Sequence, residues 1–465
     1  METLCPLPWT ILSAQPSGVM RVCSPAHSSP GRGILRKKNG EPFRVDTDSF
    51  AEAKNSELLC RVRKNMLAGI ETPEVCGRCI REEAAGLISR RILERAKISF
   101  GRAEAELQTR LDGSLLDYRN SLHTFDLRFG NICNLRCLMC WPGASSAWYQ
   151  EWFETRHQGF KDGEESHRLV RDTNGRIQLD SDFYNWPEKE SFWRELQASI
   201  PFIRELHFSG GEPLLIKKHY ALLRELVEQG RAAEIMLDYN SNITVLPDEA
   251  LELWSKFKKV TIGASVDGFG KVNDYIRFPS KFQQIESNLR KLDATSDNIQ
   301  IWITTTVQAL NILYFTDLLQ WLIESGFRKI NGIGIDSGRG FFISSHALSN
   351  PACQSIQALP GELKNKVEAK FLNFHAWHEN HLAEKGLPME VRLQRWQITK
   401  DCLDAYLTLM RSEDKSHLLP QFWQEVSAAD GYRKQSFETL FPELALPIRE
   451  CISAQHYSEN CAKAL

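Results

Sequence analysis

Long apolar runs are missing from this chain of 465 residues, and so is an excess of charge of either sign. No window approaches the roughly 18 apolar residues that a membrane-crossing helix needs. Hydrophobic residues still make up 42% of the chain, enough for a large buried core. With 57 Lys+Arg against 59 Asp+Glu the formal net charge is -2. No basic stripe interleaved with aromatics argues for a nucleic-acid partner, and Arg36-Lys37-Lys38 reads as a solvated loop. Internal repeats and long low-complexity segments are absent, and aromatics at 10% exclude a largely disordered chain. The first residues, METLCPLPWT, hold an acid and two prolines where a secretory leader needs positive charge and an apolar stretch. The expected location is therefore cytoplasmic.

What the chain does have is 12 cysteines. In a long chain held in a reducing compartment, clustered cysteines point to metal, redox chemistry or a nucleophile sooner than to disulfides. Cys5, Cys23, Cys60, Cys76 and Cys79 fall early, Cys133, Cys137 and Cys140 form a tight group, and Cys353, Cys402, Cys451 and Cys461 are scattered late.

Three regions follow from the patterning. Residues 1–100 are cysteine-bearing and rich in turn signals, with an amphipathic helix at Ser56–Ala68 and Cys60 packing on it. Over residues 120–345 short apolar strands alternate with helices, which implies parallel βα units and a partial six-stranded barrel of the α/β class. Expected strands are Phe125–Phe129, Glu205–Ser209, Glu234–Tyr239, Val260–Val266, Ile301–Val307 and Ile330–Ile335. Expected helices include His219–Glu228, Asp248–Phe257 and Phe315–Glu324, and the long first connection carries a polar insertion around 161–180. Residues 346–465 read as a helical extension, with helices at Glu362–His378 and Asp401–Arg411. His375, His378 and His381 recur there, but without a carboxylate or cysteine partner they read as packing.

The chemistry-bearing segment is Cys133-Asn134-Leu135-Arg136-Cys137-Leu138-Met139-Cys140. It leaves the first barrel strand at its C-terminal end, where barrel active sites are built. Three thiolates at this spacing suit an iron–sulfur cluster with one open iron. The spacing alone also allows a zinc knuckle or buried thiols.

A CxxxCxxC loop after the first strand of a partial barrel resembles the radical S-adenosylmethionine (radical SAM) superfamily. Further matches support the resemblance. Gly210-Gly211-Glu212-Pro213 ends the second strand and is similar to that family's GGEP turn. Ser265-Val266-Asp267-Gly268, followed by Arg277, is similar to its S-[IV]-D-G…R element. The resemblance implies a 4Fe-4S cluster on Cys133, Cys137 and Cys140 whose open iron binds SAM. One-electron reduction then yields a 5′-deoxyadenosyl radical that takes hydrogen from a substrate. It implies SAM contacts at Met139, where the family often has an aromatic residue, and at Gly210, Gly211, Glu212, Pro213, Asn240, Ser265, Asp267 and Arg277. An external reductant of the flavodoxin or ferredoxin type is also implied.

The first region resembles the twitch/SPASM-type auxiliary modules of such enzymes, through Cys5-Pro6-Leu7-Pro8-Trp9, Pro16-Ser17-Gly18 to Cys23, Cys76-Gly77-Arg78-Cys79, and Glu83, Gly86, Ser89 and Arg90. Cys5, Cys23, Cys76 and Cys79 suffice for a second closed 4Fe-4S cluster, and equally for structural zinc. Related modules usually follow the barrel; here the cysteines precede it. The expected function is radical SAM modification of a peptide by thioether or C–C cross-linking, oxidation or epimerisation. The alternatives are oxidation or rearrangement of a sugar or other small metabolite, and a non-catalytic iron–sulfur or zinc scaffold.

Overall fold

The computed structural model describes residues 3–28, 31–84, 89–98, 100–163, 165–330, 343–386 and 388–463. The N-terminal region supplies β1 (Ile11–Ala14) and β2 (Met20–Arg21), followed by β3 (Thr124–Phe129). The polar insertion folds as β4 (Gly159–Asp162), β5 (Glu165–Arg171) and β6 (Ile177–Leu179), a separate antiparallel sheet. Then come β7 (Glu205–Gly210), β8 (Met236–Ser241), β9 (Lys259–Ser265), β10 (Ile299–Val307) and β11 (Ile343–Ala347).

The main sheet has eight strands in the order β11-β10-β9-β8-β7-β3-β1-β2. Neighbours pair in parallel throughout, except that β2 runs antiparallel to β1. Five of the six expected strands thus appear, as β3 and β7 to β10, and among the described residues the sheet does not close. Of the expected sixth strand, Gly332, Ile333, Gly334 and Ile335 lie outside the described residues, and Ile343–Ala347 holds that position in the sheet. The cysteine-bearing N-terminal region is built into the same sheet, because Ile11–Ala14 pairs with Thr124–Leu127.

Side chains alternate across a strand, and here the two faces differ sharply. One face is apolar and packs under the helices Lys217–Glu228, Phe282–Asp293 and Phe315–Glu324 through Leu222, Leu226, Leu289, Leu292, Leu318 and Leu322. The other, inner face carries Asp126, His207, Asp238, Thr261 and Gln300 at one level of the register. A parallel sheet buried on both sides would be apolar on both; here His207, Asp238 and Thr261 stay partly exposed and Gln300 exposed.

The C-terminal helices Gly361–Glu384, Met389–Ser412, Leu419–Arg433 and Pro442–Lys463 confirm the expected helical extension. Among the described residues no helix is long and apolar enough to cross a membrane.

Two buried cations fix the N-terminal segment. Lys54 Nζ donates to the carbonyls of Pro8 and Ile11 at 2.9 and 2.8 Å. The Arg63 guanidinium donates to those of Pro8, Lys54 and Gly113. Burial pushes both cations' pKa values down, that of Arg63 to about 10. Arg63→Met takes the donor from the Lys54 and Gly113 carbonyls and is expected to lower stability by about 3 kcal/mol. A urea denaturation series on both proteins measures the loss.

Candidate active site

A loop with this much irregular backbone must find partners for its polar groups outside itself. The cysteine loop finds them on four sides. Ser145 Oγ donates to the Leu135 carbonyl at 2.6 Å and Trp148 Nε1 to that of Cys137 at 3.1 Å. Arg433 Nη2 donates to the Arg136 carbonyl at 2.8 Å and Gln354 Nε2 to that of Leu138 at 3.2 Å. In return the amides of Arg136 and Leu138 donate to the carbonyls of Phe278 and Ile276 at 2.6 and 2.9 Å. Arg433 is itself held by Glu151 at 2.9 and 3.0 Å, with both side chains buried. Nothing in the local sequence marked Ser145, Trp148, Glu151, Gln354 or Arg433 for this role. They act through distant packing, and two of them come from the extension whose purpose the sequence left blank.

The thiols are placed to become ligands. Cys137 and Cys140 hydrogen-bond to each other, which raises the first thiol's pKa and lowers the second's. Cys133 is pushed up to about 12, first by burial and then by the Cys137 charge. Arg277 favours the thiolates, its Nη1 lying 4.0 Å from Cys137 Sγ. Burial opposes the Arg277 charge, but Asp267 and the two thiols outweigh it and hold the guanidinium charged. Asp267 Oδ2 stands 2.7 Å from Arg277 Nε, and its Oδ1 accepts from the Thr306 amide at 2.8 Å. The last expected SAM contact on this loop, Met139, packs partly buried against the core.

The GGEP turn has a visible mechanical purpose. A Cβ on Gly211 would sit 2.1 Å from the Ile132 carbonyl oxygen, and one on Gly210, at φ +114°, 2.8 Å from the Phe129 amide. The Glu212 amide donates to the Ile132 carbonyl at 2.7 Å, so the turn and the start of the cysteine loop lie backbone against backbone. The Glu212 carboxylate accepts from Ser241 Oγ and the amides of Leu214 and Asn242 at 2.8, 3.1 and 2.7 Å. Pro213 opens the short turn Pro213–Leu215. Asn242, rather than Asn240, reaches the loop, donating to Cys133 Sγ at 3.8 Å and to Asn134 Oδ1 at 3.0 Å.

Polar side chains crowd the inner face beside the loop. A Cβ on Gly263 would meet Asn240 Oδ1, Trp302 Nε1 and Thr304 Oγ1 at 2.8 to 3.0 Å, and Thr304 Oγ1 is buried without a partner. Ser265 sits beside Thr304 in the register. Three neighbouring thiols, a charged guanidinium and the partnerless Thr304 hydroxyl fit an iron–sulfur cluster with a polar ligand such as SAM.

The early cysteines also converge. Cys5, Cys23, Cys76 and Cys79 line one small cavity together with Arg78, Arg90 and Arg91. Burial and mutual repulsion raise the thiols of Cys5, Cys23 and Cys76, the last two to about 12. Cys76 and Cys79 share one face of the helix Pro73–Ala84. Arg91 is ion-paired with Glu83, which also accepts from Ser89; Gly86 lies outside the described residues. Among the described residues no three His, Cys, Asp or Glu side chains are drawn together tightly enough for one metal ion. Cys60 is half-buried and accompanies neither group; Cys402 contacts Ser345 and Cys353 is buried beside Glu425. Cys451 is half-buried, and the Cys461 side chain lies outside the described ones.

Residues 127–322 match the model of the Radical SAM superfamily, whose members use a 4Fe-4S cluster and SAM. No curated protein matches the chain. Among solved structures it is similar to anSMEcpe with bound AdoMet, at 14% identity over 48% of this chain and 52% of that one, TM-score 0.31. It is also similar to Streptococcus suis SuiB bound to precursor peptide SuiA, at 14% identity over 57% and 54%, TM-score 0.28. The chain thus spans little more than half the length of these two structures, and at such scores the likeness carries no further weight.

Two outcomes are expected. Gly211→Ala forces the turn off the cysteine loop and is expected to lower the iron retained after anaerobic reconstitution, as iron analysis and electron paramagnetic resonance will show. Burial raises Glu212 to about 7 against the bonds that favour its charge. A carboxyl with a raised folded pKa stabilises most below its unfolded pKa, and that contribution is lost as pH rises through the folded one. Unfolding free energy is therefore expected to fall by on the order of 3 kcal/mol between pH 4.5 and 7. Denaturation across that range shows a shallower slope for Glu212→Gln.

Proposed function

We propose that the chain is a radical SAM enzyme with an auxiliary 4Fe-4S cluster on Cys5, Cys23, Cys76 and Cys79, and that it oxidises or cross-links a peptide. One observation carries this reading: both cysteine sites border the same polar inner face of the sheet. Arg277 stands beside Cys137 at the strand ends. Arg90 lines the early-cysteine cavity, and its charge interacts with Asp126 and Asp238 of the inner face. Arg128 Nη2 of β3 donates to Ser24 Oγ, next to Cys23, at 2.9 Å.

When bound and reduced, the cluster on Cys133, Cys137 and Cys140 supplies the electron that splits SAM into methionine and a 5′-deoxyadenosyl radical. The chain's own part is to hold and orient. The three cysteines would hold the cluster, Arg277 and Thr304 would offer charge and a polar partner to SAM, and the inner face would receive the substrate. An electron-transfer protein of the flavodoxin or ferredoxin type supplies the reducing electron. Four thiols ringing a cavity, with three guanidiniums around it, support an anionic multi-iron cluster over a single zinc ion, whose ligands must close to about 2.3 Å from one point. Buried unpaired donors and acceptors on the inner side, Asp126 Oδ1, Arg128 Nε and Thr304 Oγ1, suit the alternating N–H and C=O groups of a peptide.

Anaerobic reconstitution tests the reading. The wild type is expected to bind about eight irons, at about four per cubane, and to form 5′-deoxyadenosine from SAM and dithionite. Cys76→Ala loses about half the iron but keeps SAM cleavage, whereas Cys137→Ala loses the other half and all cleavage. A fully reconstituted wild type that forms no 5′-deoxyadenosine defeats the enzyme reading, and zinc in place of iron that depends on Cys76 defeats the auxiliary cluster.

A further inference from the structure

The inner face holds a titratable row that none of the motif residues uses. β3, β7 and β8 present Asp126, His207 and Asp238 side by side. His207 Nδ1 lies 3.0 Å from Asp238 Oδ2, and its Nε2 lies 3.9 Å from Asp126 Oδ1 and 3.4 Å from Asn240 Nδ2. Thr261 Oγ1 donates to the other Asp238 oxygen at 2.9 Å, which fixes that carboxylate.

Asp126 is only 3% exposed; its Oδ2 accepts from Ser13 Oγ at 2.8 Å, but its Oδ1 has no partner. An unpaired buried carboxylate oxygen is costly, and this one faces the imidazole edge. His207 and Asp238 keep 22% and 25% of their side chains exposed, so the row is reachable from solvent.

The row also faces the auxiliary site. Arg90 lines the cavity of Cys5, Cys23, Cys76 and Cys79, and its charge interacts with Glu94, Glu205, Asp238 and Asp126. Lys97, on the same helix, pairs with Glu205 at the start of β7.

We propose that His207, oriented by Asp238, is the residue that accepts the substrate's proton, and that its protonation is linked through Arg90 to the charge at the four-cysteine site. The inference rests on the auxiliary cluster proposed above. In an oxidation, the substrate C–H hydrogen atom goes to the deoxyadenosyl radical and forms 5′-deoxyadenosine. The remaining carbon radical, bearing O–H or N–H, becomes C=O or C=N by releasing one proton and one electron. The proton goes to His207 Nε2 and the electron to the iron–sulfur cluster on the four cysteines. The imidazolium so formed lies between Asp238 and Asp126. Burial opposes that charge, the two carboxylates outweigh burial, and Arg90 opposes them; the net effect raises the proton affinity of His207 above that of a free imidazole.

Linkage is reciprocal: if an electron on the cluster favours the proton on His207, the proton favours the electron by the same factor. The test uses the full chain with Cys133, Cys137 and Cys140 changed to Ala, so that only the auxiliary cluster reports. Its midpoint potential is followed by electron paramagnetic resonance during redox titrations from pH 6 to 9. We expect the potential to fall as pH rises through the titration of His207 and to level off above it. The total change corresponds to about tenfold in the reduction equilibrium, or about 59 mV for one electron. His207→Gln should abolish the pH dependence with about four irons still bound, and Arg90→Met should shrink it. A pH-independent potential, or the same slope in His207→Gln, overturns the proposal while leaving the cluster in place. Absence of iron from the three-cysteine variant instead overturns the auxiliary-cluster reading, and the linkage with it.

Discussion

The hydrogen bonds that side chains make to the carbonyls of the Cys133–Cys140 loop are the constraint on which the site depends. A loop that must point three thiols inward cannot also satisfy its own backbone by helix or sheet pairing. Ser145, Trp148, Gln354 and Arg433 supply the missing donors, and each carbonyl fixed this way fixes the neighbouring cysteine. The buried Arg433–Glu151 pair then ties the C-terminal helices to the loop. Without Arg433 the buried Glu151 would keep only its longer contact to Arg136 at 3.5 Å, so removing Arg433 would cost more than one hydrogen bond.

The same economy appears at the turn after β7. Gly210 and Gly211 let the turn lie on the loop's backbone, and Glu212 reaches across to Ser241 and the Asn242 amide at the end of β8. Three successive strand ends of the sheet are thereby locked around the thiols. Arg277 and Asp267 do the same from the ends of β9 and β10. The motif residues are thus framework as well as prospective ligand contacts.

The N-terminal region takes its place through β1 and its buried cations, not through the cysteines alone. Lys54 and Arg63 hold the Pro8 and Ile11 carbonyls, which sets the chain just after Cys5. The helix that carries Cys76 and Cys79 and the one that begins at Arg90 complete the ring. One cysteine set thus lies at the strand ends, and the other lines its own cavity beside Arg90.

Local pattern sufficed for much of this. Alternating apolar strands and amphipathic helices place five of the six barrel strands within a few residues, because each is periodic over its own length. The cysteine loop, the GGEP turn and the Asp267…Arg277 element are legible because their spacing within one stretch of chain is itself the signal. So is the set Cys5, Cys23, Cys76 and Cys79, which the structure brings to one cavity. Only the tertiary structure decided which groups meet across the sheet. Asp126, His207 and Asp238 are separated by dozens of residues and look like ordinary strand positions, yet register sets them in one row. Arg433 and Gln354 carry no motif, and their task exists only because the helical extension packs on the loop. Spacing along the chain encodes ligands that act together locally, whereas partners for a buried carbonyl or an unpaired carboxylate are chosen by packing, which no local pattern records.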